Sequence, residues 1–317
     1  MKPMQTVLLP LSILLLLGGA TGCRKAKTTK PASTEYDGRT AKDLLALGEL
    51  YLQNGRWDEG RKVLRVIEEQ LPSAAEFPRA KLLIADSFFF GSTTSYPEAL
   101  VEYKSFLNYF PRDEMRDYAL YRVALCHYAS IESAERDQTE TRKALDCFQD
   151  LIKEAPGSVY AVDAKTKVTQ CWLRLAESEL LVGIFYVKTR HYAGAEKRIK
   201  DLLETYPEYA DRERAYFFLG EAMRQKFPGQ DLMRQWQKDF VAKAGKDNFD
   251  QLNSEQRAAF NQLVVDNIRS EREHYQTEAK GYYKKLVESY PGSEWATKAS
   301  DRLVDMGQAG LKEELDS

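Results

Sequence analysis

Apolar residues along this chain recur three and four positions apart, and five of these runs end alike, on an aromatic or apolar residue followed by proline: Leu71-Pro72, Phe110-Pro111, Ala155-Pro156, Tyr206-Pro207 and Tyr290-Pro291. Twelve residues before each proline stands a small residue, Gly60, Ala99, Ala144, Ala195 and Ala279. Eight before it stands a bulky one, Leu64, Tyr103, Phe148, Ile199 and Tyr283. Proline just past an amphipathic run stops a helix, so each run is predicted to be a helix closing at that point. Upstream of each lies a second run built around one small residue: Gly48 in LLALGELYL, Ala85 in LLIADSFFF, Ala124 in YRVALCHY, Gly183 in ELLVGIFY and Gly220 in YFFLGEAM. Small residues on both helices let two backbones approach while the large neighbours fill the space alongside, which predicts five helical hairpins.

The first hairpin (Leu44, Gly48, Tyr51, Trp57, Gly60, Leu64, Pro72) and the fourth (Gly183, Tyr186, Tyr192, Ala195, Ile199, Pro207) resemble the tetratricopeptide repeat. The fold class is therefore expected to be all-α: five tetratricopeptide-like hairpins forming a right-handed superhelix, with a helical insertion in repeat five. The two small residues of a hairpin are 12, 14, 20, 12 and 59 residues apart, which locates the inserted loops. Ser158 caps an expected unbroken helix from Val159 to Lys188, about 45 Å long at 1.5 Å per residue. The large insertion, 227–276, carries helical spacing at Leu232, Trp236 and Phe240 and again at Phe260, Val264 and Ile268. A break at 245–248 and a cap at Ser254 predict a helical hairpin whose second arm runs on to Tyr290. Ser293 caps a last helix that covers the open end of the stack. The expected organisation is 1–22 signal peptide, 23–40 tether, 41–226 repeats one to four with the first helix of repeat five, 227–276 insertion, 277–308 second helix of repeat five with the capping helix, and 309–317 tail.

Composition changes this picture mainly by exclusion. The 46 Lys and Arg against 48 Asp and Glu, net charge −2, argue against a nucleic-acid partner, which needs a clustered positive face. Three scattered histidines, His127, His191 and His274, form no local metal site, and no metal or cofactor is expected. His127 falls on a core position of repeat three and is expected to be a packed imidazole; the other two read as surface residues. No nucleophile elbow, phosphate-binding loop, zinc-protease helix or dinucleotide fingerprint occurs in the sequence, and no catalytic residue is assigned. The chain is expected not to be an enzyme. A peptidoglycan hydrolase with a helical superhelix is the enzyme alternative, but repeats, insertion and cap use all the available length.

The first 22 residues have the layout of a secretory signal: one lysine, an apolar stretch, then small residues up to Gly22. With Cys23 next, the segment resembles a bacterial lipobox, in which the cysteine is lipidated and becomes the first residue. Lipid on Cys23 is the one expected modification. Arg24 rather than Asp after the cysteine implies, by the same resemblance, the outer membrane facing the periplasm. Cys126, Cys147 and Cys171 remain. An oxidising compartment permits one pair, Cys126 with Cys147 being the candidate, while small apolar filler is the expected role.

The lipidated leader, five such repeats and the run Arg174-Leu-Ala-Glu-Ser-Glu-Leu-Leu-Val-Gly-Ile-Phe-Tyr-Val-Lys, followed by Tyr192 and Ala195, resemble the BamD family of outer-membrane β-barrel assembly lipoproteins. The resemblance covers Ala41 to about Lys226. It implies a non-enzymatic scaffold that docks on POTRA domains of the barrel-forming subunit, meets other assembly lipoproteins and receives unfolded outer-membrane proteins. It places the docking contact at Lys197, Arg198 and Lys200, with an arginine matching Arg198 taking part. A Tol-Pal-linked cell-division coordinator is the alternative, but that family carries a leading coiled coil absent here.

In tetratricopeptide stacks the groove-facing positions lie six and three residues before the first helix's small residue and one, four and five after it. These are Lys42, Leu45, Glu49, Leu52 and Gln53, then Arg79, Leu82, Asp86, Phe89 and Phe90, then Tyr118, Tyr121, Leu125, Tyr128 and Ala129. Five aromatic rings converge there and form a candidate peptide site. Outer-membrane barrel strands end in alternating aromatics, and such a terminal ring is expected among Phe89, Tyr121 and Tyr128, with Arg79 or Lys42 meeting the carboxylate.

Overall fold

The computed structural model describes residues 36 and 38–315, with side chains up to 307. Cys23 and the signal segment lie outside the described residues. The chain forms twelve α-helices among these residues: α1 Ala41–Gln53, α2 Trp57–Gln70, α3 Phe77–Phe90, α4 Tyr96–Tyr109, α5 Arg116–Ala129, α6 Thr139–Glu154, α7 Ala161–Lys188, α8 Tyr192–Thr205, α9 Arg212–Gln225, α10 Gln230–Lys243, α11 Ser254–Ser289 and α12 Glu294–Leu315. Each helix packs on the next except α9, which pairs with α11 across the insertion, so the five hairpins are α1/α2, α3/α4, α5/α6, α7/α8 and α9/α11. No helix among the described residues is long and apolar enough to cross a membrane.

What sets each hairpin is visible at the small residues. A Cβ added at Gly48 would lie 2.6 Å from Leu64, and one at Gly183 would lie 2.6 Å from Ile199. At Gly220 it would run into the Tyr283 ring. The bulky partner is in every case the residue eight before the closing proline. Ala85 with Tyr103 and Ala124 with Phe148 share core clusters in the same way. The core is accordingly a chain of clusters passed from hairpin to hairpin, as stacked repeats require.

Local chemistry explains the helix ends. Thr40 and Asp43 form a reciprocal capping box at α1, with the Thr40 hydroxyl accepting from the Asp43 N–H at 3.2 Å. The tight turns of repeats one and four use the same left-handed residue five before the second small residue, Gly55 at φ +71° and Arg190 at φ +64°. The long helix is shorter at its start than expected. The Ser158 carbonyl accepts from the Ala161 N–H at 3.0 Å, so Val159 and Tyr160 belong to a turn and Ser158 is not the cap. At α11 the cap is Asn253 rather than Ser254, because the Asn253 side chain closes a capping box with Gln256. Ser293 does cap α12, its hydroxyl accepting from the Ala296 N–H at 3.0 Å.

Helix α12 lies on α9 and α11 and closes the stack with Trp295, Ala299, Leu303 and Met306. The insertion behaves differently. None of residues 254–274 of α11 is buried, and α10 buries only Val241. Contacts of Phe260 with Phe240 and Phe249, at 5.3 and 5.1 Å between ring centres, hold this arm together. His127 is buried with its Nδ1 2.7 Å from the Glu140 carboxylate, and His191 and His274 are exposed. Cys126, Cys147 and Cys171 are free thiols, the first and last buried.

Charges are buried only in company. Lys81 of α3 is 3% exposed and reaches Glu68 of α2 and, at 2.7 Å, Glu102 of α4, while Arg65 pairs with both acids. Burial pushes the Glu102 pKa up, but hydrogen bonds from Lys81 and Arg65 outweigh it and hold it below the ordinary value of 4.5. Glu221, bonded by Arg224, Tyr283 and Arg302 across three helices, is lowered against its own burial in the same sense. A lowered folded-state value means that the stabilisation is complete above pH 4.5 and drains away as pH falls through the folded value. The melting temperature is therefore expected to fall on acidification below about pH 4.5. Glu102→Gln should lower it already at neutral pH, by roughly 3 kcal/mol of stability, and flatten that acid limb.

The small-residue contact gives a second test. Gly220→Ala forces a methyl group into the fully buried Tyr283 ring and should cost about 1–3 kcal/mol. Gly281→Ala, on the open face of α11 with nothing within 4 Å, should stabilise by about 0.5–1 kcal/mol. Thermal melts of the two single variants against the parent check both signs.

Candidate functional site

The groove reading rests on α3 and α5, whose inner faces carry most of the predicted rings. Phe89 and Phe90 meet edge to face at 5.0 Å, with Phe90 49% exposed. Tyr118 lies 5.8 Å from Tyr160, which stacks on Tyr121 at 4.9 Å and an interplanar angle of 17°. Tyr121 and Tyr128 then flank Phe148 at 6.1 and 6.0 Å. The rings thus form a half-buried path along repeats two and three, continued by Tyr160 from the turn before α7, a ring outside the predicted set.

The hydroxyls of Tyr118, Tyr121 and Tyr128 are each tied to a neighbouring helix. Tyr118 donates to Asp86 at 2.6 Å, on the oxygen that also accepts from Tyr103. Tyr121 donates to Asp163 at 2.5 Å and Tyr128 to Gln170 at 2.6 Å, both on α7. Burial, with the Asp163 carboxylate next, pushes the Tyr121 pKa up to about 12, so the phenol stays a donor across the physiological range. Lys167 sits over the Tyr128 ring at 4.5 Å. The polar edges are spoken for, and what the groove offers a ligand is ring faces.

Two predicted groove positions are corrected. Leu52 and Leu82 are core residues, 8% and 1% exposed, because Leu52 lies over Gly60 and Leu82 joins the cluster around Tyr103. Arg79 is exposed on the groove side but is engaged by Glu49 at 3.2 Å. Lys42 is exposed on the first turn of α1.

Sequence reasoning missed Arg122. Its guanidinium lies over Phe90, Phe89 and Tyr118 at 4.3, 4.7 and 4.9 Å, at the seam between α3 and α5. A signal for it exists: two residues before the first-helix small residue the other repeats carry Ala46, Leu83, Leu181 and Phe218. Only repeat three places a charge at that register.

The basic cluster of α8 is interleaved with acids. Lys197 pairs with Asp201 at 3.0 Å, Lys200 with Glu196 at 2.7 Å, and Arg198 reaches Glu179 of α7 at 2.6 Å. Glu196 also takes Lys226 from the end of α9 at 2.7 Å. The first acid of the Leu-Ala-Glu-Ser-Glu run is equally engaged: Glu177 accepts from Arg214 at 2.5 Å and from the Tyr209 hydroxyl. That run is therefore a set of latches, Glu177 tying α7 to the start of α9 and Glu179 tying it to α8, while Leu175, Ala176, Leu180, Gly183 and Ile184 fill the core beneath.

Comparison with known proteins places this geometry. An outer membrane protein assembly factor BamD from Caulobacter vibrioides is 28% identical over 212 residues, 67% of this chain and 68% of that protein. The proteins of the same name from Rickettsia prowazekii and Haemophilus influenzae are 28% and 26% identical over 201 and 200 residues, covering 62% and 60% of this chain and 76% of each relative. The family model of the YfiO outer membrane lipoproteins matches residues 38–237, from the turn before α1 through both the aromatic groove and the latch run and into α10, and the chain belongs to that outer membrane lipoprotein family.

Proposed function

We infer that this chain is a non-enzymatic scaffold of the outer-membrane β-barrel assembly machinery. Lipid on Cys23 holds it to the periplasmic face of the outer membrane, its C-terminal repeats dock on POTRA domains of the barrel-forming subunit, and its groove receives C-terminal segments of unfolded outer-membrane proteins. The observation that carries the reading is the span of the relatedness: the relatives named as outer membrane protein assembly factors align over 60–67% of the chain, and the matched residues include both the groove helices and the latch run. The exposed aromatic path supports the third element, since ring faces without free polar edges suit an alternating aromatic segment.

The direct test is affinity isolation of the chain from detergent-solubilised outer membrane. Recovery of the barrel-forming subunit is expected; its absence at every detergent concentration that keeps the chain folded sinks the scaffold reading. Cys23→Ala should abolish labelled-palmitate incorporation and give either an uncleaved precursor or a released form, and a variant that fractionates and incorporates palmitate like the parent removes the lipid anchor.

Docking through Arg198 needs a sharper probe, because reversing its charge alone sets two carboxylates against each other at the α7/α8 latch. Arg198→Glu combined with Glu179→Arg restores the ion pair with opposite polarity. An exposed pair of this kind contributes only ~0–1 kcal/mol, so the double variant should melt within a degree or two of the parent. Loss of the barrel subunit from the double variant's eluate assigns Arg198 to the interface; full recovery makes the latch its whole role.

A further inference from the structure

Several of the fold's buried and half-buried cations are held by acids. Lys81 is held by Glu68 and Glu102, Arg214 by Glu177, and Lys226 by Glu196. Half-buried Arg212 donates instead to the Leu203, Tyr206 and Pro207 carbonyls, and Arg122 has neither arrangement. It is half-buried, its Nε is sealed from solvent with no acceptor, and it has no ion-pair partner among the described residues. Asp86 is the acid on its side of the seam, and one of its oxygens is occupied by the hydroxyls of Tyr103 and Tyr118.

A guanidinium is costly to bury at a register that the other repeats fill with alanine, leucine or phenylalanine, and here the Tyr118 hydroxyl and the more distant Asp86 charge offset its desolvation without a direct ion pair. Three ring faces, from Phe89, Phe90 and Tyr118, take the place of a counter-ion and fix the plane of the group. Stacked in this way, a guanidinium keeps its N–H edge available for a planar acceptor, the geometry that matches a carboxylate in a two-point fork. Phe90, half exposed beside it, leaves a ring face open for the side chain that carries the carboxylate.

We propose that Arg122 is the carboxylate receptor of the groove, binding the free C-terminal carboxylate of a peptide whose last residue is aromatic while that residue's ring lies against Phe90 and Tyr118. This rests on the groove reading given above and assigns the anchoring role to Arg122 in place of Arg79, whose guanidinium is already engaged by Glu49. The α-carboxylate is favoured over a side-chain carboxylate because it sits next to its own residue's ring, which matches a cation bounded by ring faces.

The test uses the full mature chain and three fluorescent peptides of alternating aromatic pattern: one with a free C-terminal phenylalanine, the same peptide amidated, and an amidated one with an internal glutamate. The free acid should bind about tenfold or more tighter than its amide, as expected for a charge-assisted hydrogen-bonded pair. Arg122→Gln should erase that difference while leaving the amide's affinity unchanged, and Arg122→Lys should restore only part of it. Phe90→Ala, which leaves the charge in place, should weaken the free acid and the amide alike. Melting curves confirm that each variant is folded.

Equal affinity of acid and amide for the parent chain overturns the proposal, as does an Arg122→Gln effect of the same size on both. Arg122-dependent binding of the glutamate peptide that equals the free acid overturns the C-terminal assignment. If these peptides bind and Tyr121→Ala weakens them while Arg122→Gln does not, the groove reading stands and this one fails. If the parent binds none of them, both fail together.

Discussion

Gly48 against Leu64, Gly183 against Ile199 and Gly220 against Tyr283 are one contact made three times, a first-helix backbone lying directly on a second-helix side chain. Alanine takes the small position in repeats two and three, sharing core clusters with Tyr103 and Phe148. This contact fixes the spacing of the two helices, and from it follows which face of each hairpin is left to meet the next. A larger residue at any of these five sites would push the pair apart and tilt every hairpin beyond it, since stacked repeats transmit geometry only through neighbours. The insertion is tolerated because it enters beyond the contact: α9 ends at Gln225, the arm leaves, and α11 returns in register to place Tyr283 over Gly220.

Ionic latches add direction to this apolar spacing. Glu102 and Glu68 with Lys81 and Arg65 tie α2, α3 and α4; Glu177 and Glu179 tie α7 to α9 and α8; Glu221 ties α9, α11 and α12. Glu102 and Glu221 each accept from donors on two other helices, so removing one member leaves a partly buried charge without its complement. Hydrophobic clusters alone would permit neighbouring hairpins to slide, whereas a multi-donor carboxylate is satisfied in one arrangement only.

The groove owes its character to the same economy of partners. Tyrosine hydroxyls along α5 are consumed by acids and an amide of adjoining helices, which locks the rings in place. Arg122 stands apart because rings rather than acids surround it. The arm of α10 and the first part of α11 stands apart in a different sense: the family model ends at residue 237, inside α10, and the arm rests on little more than the contacts of Phe260 with Phe240 and Phe249.

The intervals between small residue, bulky residue and proline determined by themselves the number of hairpins, their order, the long seventh helix and the presence of an inserted helical pair, because each is a property of spacing along one helix or between two adjacent ones. Helix starts shifted by one or two residues, at Ser158 and Ser254, where a turn carbonyl or a neighbouring asparagine competed for the same N–H groups. The rings of the groove were legible at five positions, yet Leu52 and Leu82 went to the core, because position within a repeat gives the face of a helix and not the angle at which the next one crosses it. Tertiary structure alone decided that Lys197, Arg198 and Lys200 each meet an acid, that Tyr160 completes the ring path from a turn, and that Arg122 has ring faces rather than a carboxylate in direct contact among the described residues. Those outcomes depend on which side chains from distant segments arrive within a few ångströms of one another, and no periodicity in a single chain encodes that distance.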